Sequence, residues 1–517
     1  MTLEFTARNS FDVVVIGGGI NGTSAARELA ASGFRILLAE QADLAGGASG
    51  RSSRMLHCGL RYFETRHPVR TFARFPSRLA GAIGMARAAM QARAELVRVQ
   101  PERCKPFTMC FPLYRGEEVR GWHLDLGFAL LGRLGPPAPP LDYRRVRSAI
   151  ERQVPLAADL RDRQKLASIA TYREYMIDWP DRICVDAALD AERNGAELRL
   201  FTRAKLGERR DDGWTVDLTG RSGETETIRA RVVLNLAGTW IDEVCPPARR
   251  KADSPLVLGT KGAHIVVRLP DRYRGHGVAT LHRQGMPFYC LPLDDDFFFF
   301  GPTETSFTGD AGEAHATPAD IDFLLGEANH LLPGLGLTRR DVAFTWAGVR
   351  PLTYDPGQPM GRRTREIHDL GTAGLPGILA MTAGPVMSHR SAGRELRDAA
   401  AALLGGERPS PAARASESAA PVPAAGSRPF PRDAFRRAVS AEHARDLPGI
   451  LYTRTAYAWG RHLGRDEVEE AADCVADLLG WDADEVSGQV SAFLAYQDRT
   501  FPKGGVDKSP GSRAGIA

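Results

Sequence analysis

Gly17-x-Gly19-x-x-Gly22 lies between a short β-branched run, Asp12-Val-Val-Val-Ile16, and a run of helix formers, Ala25-Ala-Arg-Glu-Leu-Ala-Ala31. In that order a backbone can hold a pyrophosphate. Gly17 permits the tight turn, Gly19 lets the main chain approach the phosphates, and Gly22 lets the helix pack on the strand. The N–H groups around Gly18 and Asn21, with the positive end of the helix dipole, then face the anion. A second buried run, Arg35-Ile-Leu-Leu-Ala-Glu40, ends in an acid placed to accept hydrogen bonds from ribose hydroxyls. The charge of Glu40 disfavours a 2′-phosphate there. Gly46-Gly-Ala-Ser-Gly-Arg-Ser-Ser53 follows, and its N–H groups and the hydroxyls of Ser49, Ser52 and Ser53 suit the wrapping of a pyrophosphate.

Those residues require a βαβ unit, and the remaining chain must supply its cover. At 517 residues there is room for two or three domains. With 43% hydrophobic and 25% charged residues the composition is that of a soluble globular protein. A net charge of +4 without a dense basic run gives no footprint for nucleic acid. Seven cysteines, scattered singly, read as reduced thiols of a cytoplasmic protein and offer no metal spacing. The first strand starts too near the N-terminus for a signal peptide. No apolar run reaches the ~18 residues of a bilayer span, so any membrane association is peripheral.

Helical spacing marks Ala80–Val97 and Leu124–Leu134, the latter ending at Pro136-Pro-Ala-Pro-Pro140. A helix running through Arg193 precedes strands at Glu197–Phe201, Trp214–Leu218 and Val232–Leu236. Residues 255–350 alternate strands with turns and predict a sheet, in which Phe297-Phe-Phe-Phe300 reads as a strand buried on both faces. Residues 405–429 read as a linker. Four helical patterns follow at Phe435–Ala444, Leu451–Trp459, Asp466–Leu479 and Asp484–Arg499, before a disordered tail over 503–517.

Ser52-Ser-Arg-Met-Leu-His-Cys-Gly-Leu-Arg-Tyr-Phe-Glu64 resembles the second signature of the FAD-dependent glycerol-3-phosphate dehydrogenases, within the D-amino-acid-oxidase-like flavoenzymes. The usual form is Ser-Ser-Lys-Leu-Ile-His-Gly-Gly-Leu-Arg-Tyr-Leu-Glu, so Cys58 replaces a glycine. Four more stretches are similar to that family: Leu234–Trp240, Gly259–Val267, Phe297–Glu304 and Phe344–Leu352. Ile450–Thr455 is similar to its C-terminal helical domain. The resemblance covers nearly the whole chain. It implies an α/β fold: a Rossmann-like FAD-binding domain with an antiparallel capping sheet over 1–404 (the sheet mainly 255–350), and a helical domain over 430–502.

The resemblance also implies a hydroxylated anionic substrate that yields hydride to FAD, with a quinone or another acceptor taking the electrons. It leaves room for a homodimer. Arg61, Arg350 and Arg365 fall on positions expected at the anion, because a guanidinium fork binds phosphate or carboxylate with paired hydrogen bonds. His57 and His264 are expected at flavin or substrate, where a neutral imidazole accepts a hydroxyl proton. Tyr62 closes the pocket. Ala237 and Gly238, with Ala204 just beyond the Glu197–Phe201 strand, join the cofactor-binding residues. Gly384 opens a turn into a helix whose N-terminus faces the flavin, with Pro385 as its first residue.

Pro385 stands where the family has a substrate-side lysine. Two reactions therefore stay open: oxidation of sn-glycerol 3-phosphate, or of another hydroxylated anion (a polyol phosphate, hydroxyphosphonate or hydroxy acid) or an amine. A third reading, a non-catalytic dinucleotide-binding or RNA-modification protein, conflicts with the retained Arg61 and Arg350.

Overall fold

The computed structural model describes residues 9–63, 67–210, 213–244, 254–406 and 430–504. Most of the expected linker and tail lies outside them.

Two sheets organise the chain. The first runs, edge to edge, Glu366–Asp369, Ile378–Thr382, Thr225–Asn235, Ser10–Ile16, Ile36–Ala39 and Glu197–Arg199. Its inner pairings are parallel, while Glu366–Asp369 joins antiparallel. Alternation along Val13-Val-Val-Ile16 explains why this strand sits centrally. Val13 and Val15 pack under the helices Ile20–Ala31, Pro180–Arg193 and His389–Leu403. Val14 and Ile16 face the other way, onto Trp214, Val216 and Ile228 of the antiparallel strands Gly213–Thr219 and Thr225–Asn235. Each such fully buried valine or isoleucine contributes about 1.5–3 kcal/mol. Gly393 lets the last helix cross the first closely, since a Cβ there would stand 2.7 Å from the Ser24 carbonyl oxygen.

The second sheet runs Thr305–Ser306, Val257–Arg268, Phe297–Gly301, Pro287–Pro292, His276–Leu281, Cys104–Tyr114, Leu166–Ile177 and Met55–Leu56. Val342–Thr353 adds antiparallel to Val257–Arg268, bringing Trp346 opposite His264 and Arg350 opposite Thr260. The span 255–350 thus supplies only part of this sheet, and Cys104–Tyr114 and Leu166–Ile177 form its other half. Two prolines in Cys104–Tyr114 mask a strand that pairs on both sides. Nor do residues 255–350 hold strands and turns alone. The 14-residue helix Pro318–Leu331 starts at a Thr317/Asp320 capping box and covers one sheet face. Phe298 and Phe300 lie under it, and Phe299 points to the opposite core with Trp346. That strand is buried on both faces.

The C-terminal helices are Arg432–Ser440, Arg465–Leu479 and Ala483–Thr500. Where a helix over Leu451–Trp459 is expected, the chain makes one wide π-type turn, Gly449–Arg454, and then unwinds through Ala456 at φ +51°. Burial of Arg454 and the β-branched Thr453 and Thr455 explains the departure. Tyr452, Trp459, Phe493 and Phe501 share one core with Phe344 and Trp346 of the second sheet.

Candidate active site

The glycine turn has the expected strain. Gly17 sits at φ +113°, and a Cβ there would lie 2.6 Å from the Leu236 carbonyl oxygen. A Cβ on Gly22 would overlap the Gly17 carbonyl, so the helix meets the strand end this closely only because residue 22 is glycine. Gly19 caps the Ile20–Ala31 helix without a side-chain hydrogen bond, and no acid occupies the first turn, where half-buried Asn21 stands. The Ser49 hydroxyl accepts from Ile20 N at 2.9 Å and ties the following loop to that helix end. Glu40 accepts from Gly18 N at 2.6 Å and from Ala42 N at 2.8 Å, and burial raises its carboxyl. Glu40 thus braces the glycine turn.

Local contacts place the other cofactor candidates. Ser52 accepts from Arg54 N at 3.3 Å, and Ser53 is half-buried beside it. Ala237 N donates to Asn235 Oδ1 at 3.4 Å, and Gly238 at φ +62° starts the turn that carries Trp240 to the face of Gly47. Thr202 N donates to the Glu40 carbonyl at 2.8 Å, placing Ala204 two residues past that contact. Gly384, at φ +87°, packs against Arg365. Pro385 does not begin the helix. A tight turn over Val386–Ser388 intervenes, and the helix starts at His389, whose Nδ1 bonds the Val386 carbonyl at 3.1 Å. This cradle of glycines, unopposed helix N–H groups and hydroxyls fits FAD.

At the other end, Gly59 (φ +92°) launches the single turn Leu60–Tyr62 that presents Arg61; a Cβ on Gly59 would lie 2.8 Å from Ala86 Cα. Arg350 projects over Gly262, whose missing side chain leaves the guanidinium its space. Its Nη1 is buried without a hydrogen-bond partner among the described residues. Burial, then Arg363, push Arg350 down to about 10, with Arg61 adding to this and Glu304 opposing it. Arg363 donates to Glu304 Oε1 at 2.6 Å. Three guanidiniums therefore converge, and the third is Arg363. Arg365 is committed elsewhere, to Glu395 at 3.1 Å, Ser388 Oγ at 2.9 Å and Ser391 Oγ at 3.2 Å. Spacing within Arg362-Arg-Thr-Arg365 could not separate these, because the choice is made by distant acids.

Both imidazoles border this cluster and are neutral at pH 7. Burial, reinforced by Arg61, lowers His57 to about 3, and its Nδ1 has no partner among the described residues. Its ring meets Tyr62 edge-on at 5.5 Å, and burial raises the Tyr62 phenol. His264 is likewise lowered to about 3, by burial and then Arg350. It stacks on Trp346 at 4.7 Å, with both ring nitrogens unpartnered among the described residues. Cys58 turns into the core with Ala86 and Tyr172, while its N–H donates to Glu174 at 3.0 Å. Lys261 is tied to Asp320 at 2.6 Å. Arg363, Glu304, Trp346 and Arg54 escaped the sequence reading. Glu304, Trp346 and Arg54 each lie in a recognised stretch, at Phe297–Glu304, Phe344–Leu352 and Ser52–Glu64, whereas Arg363 lies in none.

The sequence profile of the FAD dependent oxidoreductase (DAO) family matches residues 12–394. A glycerol-3-phosphate dehydrogenase of Synechocystis sp. is 28% identical over 406 residues, covering 75% of this chain and 69% of that protein. A D-erythritol 1-phosphate dehydrogenase of Brucella abortus is 29% identical over 384 residues, covering 73% and 71%. The structure of the glycerol-3-phosphate dehydrogenase from Bacillus halodurans complexed with FAD superposes with a TM-score of 0.69 at 20% identity, covering 96% of both chains. Among the described residues no helix is long and apolar enough to cross a membrane. With that profile matched over residues 12–394 and a glycine cradle that fits FAD, the chain belongs to the FAD-dependent oxidoreductases of the DAO family, with glycerol-3-phosphate dehydrogenases among its relatives.

Proposed function

We propose that this enzyme oxidises the carbinol of a small phosphorylated polyol, with sn-glycerol 3-phosphate, going to dihydroxyacetone phosphate, as the first substrate to test. The observation that carries the reading is the convergence of Arg61, Arg350 and Arg363 beside two uncharged imidazoles. The guanidiniums hold the phosphate and so fix the distance of the carbinol from the anchor. His57 or His264, neutral and with nitrogens unpartnered in the described protein, accepts the hydroxyl proton. FAD, when bound, supplies the hydride acceptor at N5. The electrons then leave to a quinone or another acceptor.

A second substrate is favoured by one specific feature. Pro385 replaces the lysine of the resembling dehydrogenases, and Lys261 is held by Asp320. A site without that ammonium contact is compatible with a different polyol phosphate, such as D-erythritol 1-phosphate, the substrate named for one relative.

Anaerobic addition of sn-glycerol 3-phosphate to the yellow protein is the direct test. Bleaching of the flavin band at millimolar substrate or below supports the first substrate. Bleaching only by the four-carbon phosphate moves the assignment to the second. A flavin that stays oxidised with both defeats the polyol-phosphate reading.

A further inference from the structure

The C-terminal helical unit reaches the cofactor loop at two points. Arg454, whose side chain is 0% exposed, pairs with Asp43 and donates from Nε to the Glu442 carbonyl at 3.0 Å. Five residues on, the Trp459 ring lies under the Arg54 guanidinium, 3.9 Å from its centroid. Arg54 closes the Gly46–Ser53 loop, stands at φ +58° and is buried, and its Nη1 donates to the Asp178 carbonyl at 3.0 Å.

The other side of Trp459 meets the second sheet. Its indole sits edge-on to Trp346 at 6.1 Å, and Trp346 in turn stacks on His264 at 4.7 Å. The order Arg54, Trp459, Trp346, His264 is thus one continuous stack joining the flavin loop, the C-terminal unit and the substrate-side imidazole. Along it, Arg54 Nη2, both indole N–H groups and both His264 nitrogens are buried without hydrogen-bond partners among the described residues. Buried polar atoms left unpaired in such number mark a place where a polar ligand completes the wall.

We infer that Trp459 is a positioning residue of this oxidoreductase: through Arg54 it holds the FAD loop, and through Trp346 it sets His264. The C-terminal unit is on this account a part of the active site. The contact requires an aromatic face, since a desolvated guanidinium is attracted to the ring quadrupole and gains nothing comparable from an aliphatic chain.

The test compares Trp459→Leu and Trp459→Phe in the full chain, because both keep apolar bulk and only phenylalanine keeps a face for Arg54. Val475→Ala, on the Arg465–Leu479 helix and outside the stack, serves as the control for general loosening of the unit. FAD is titrated into each apo-protein, and its dissociation constant is read from quenching of the flavin fluorescence. Trp459→Leu is expected to weaken FAD by up to about thirtyfold, the full factor of a desolvated cation–π contact, to the extent that the loop loses its binding geometry without it. Trp459→Phe is expected to stay within about threefold of wild type, and Val475→Ala to match wild type. Equal dissociation constants for the leucine and phenylalanine variants overturn the inference. So does a loss in Val475→Ala as large as that in Trp459→Leu. The readout involves no substrate, so it stands apart from the fate of the polyol-phosphate reading.

Discussion

Replacing Arg350 with alanine separates the anion clamp from the fold. The side chain lies over Gly262 with one nitrogen unpartnered among the described residues, and burial, then repulsion from Arg363 and Arg61, bring its pKa down to about 10. A charge disfavoured to that extent destabilises the substrate-free protein by roughly 3 kcal/mol at neutral pH. The sign follows from the direction. A base whose folded pKa is lowered carries this penalty at every pH below about 10, and sheds it as pH rises further. Removing the guanidinium therefore relieves repulsion, offset by a small cavity over Gly262, and Tm should hold or rise. With substrate the balance reverses. A paired, charge-assisted contact to phosphate supplies about 3–4 kcal/mol, so kcat/KM should fall by about 10²–10³ while FAD stays bound. Steady-state kinetics with the bleaching substrate, and thermal melts at pH 7 with and without it, give both numbers. Unchanged kinetics together with a Tm lowered by ten degrees or so would make Arg350 a structural residue and refute the clamp.

Gly19→Val should give a folded, colourless protein, because a side chain there meets only the Ser49 hydroxyl at 3.3 Å yet occupies the pyrophosphate approach; a yellow preparation contradicts the cradle. Arg363→Ala should lower kcat/KM about a hundredfold, and Arg365→Ala by less than about threefold, since only the former joins the guanidinium cluster. Equal losses in the two variants would return Arg365 to the site. His57, His264 and His389 are each lowered by burial to about 3. Below pH 6.5 the unfolded chain takes up protons that these folded imidazoles refuse. Stability should then drop by roughly 4 kcal/mol per pH unit between pH 5.5 and 4, and Tm in that window measures it. A flat Tm there would mean that water reaches the rings.

How much was legible depended on whether the cause is local. Gly17, Gly19 and Gly22 act through backbone within a few residues, and Val13–Ile16 declares its two buried faces by composition. Cys104–Tyr114 does not, because Pro106 and Pro112 hide a strand whose partners, Leu166–Ile177 and His276–Leu281, lie far along the chain. Arg363 and Arg365 are told apart only by Glu304 and Glu395, each distant in sequence. Leu451–Trp459 has helical spacing, yet burial of Arg454 against Asp43 unwinds it. In each failure a tertiary partner outweighed the local preference.

The two-residue strand Met55–Leu56 has a consequence for anyone who would transplant this specificity. It pairs with Met176 and Tyr175 in the second sheet, and Arg54 and His57 flank it in sequence. The chain thus leaves one sheet and enters the other inside a single motif. A cassette cut at 255 and 350 would carry His264 and Arg350 but abandon Arg61, Arg363 and half of the wall they face. A graft of the whole wall has to move Met55–Tyr62, Cys104–Tyr114, Leu166–Ile177 and the stretch that reaches Arg363 along with that block. Substrate preference in this architecture is therefore inherited as a scattered set, and one recombination event does not suffice to exchange it.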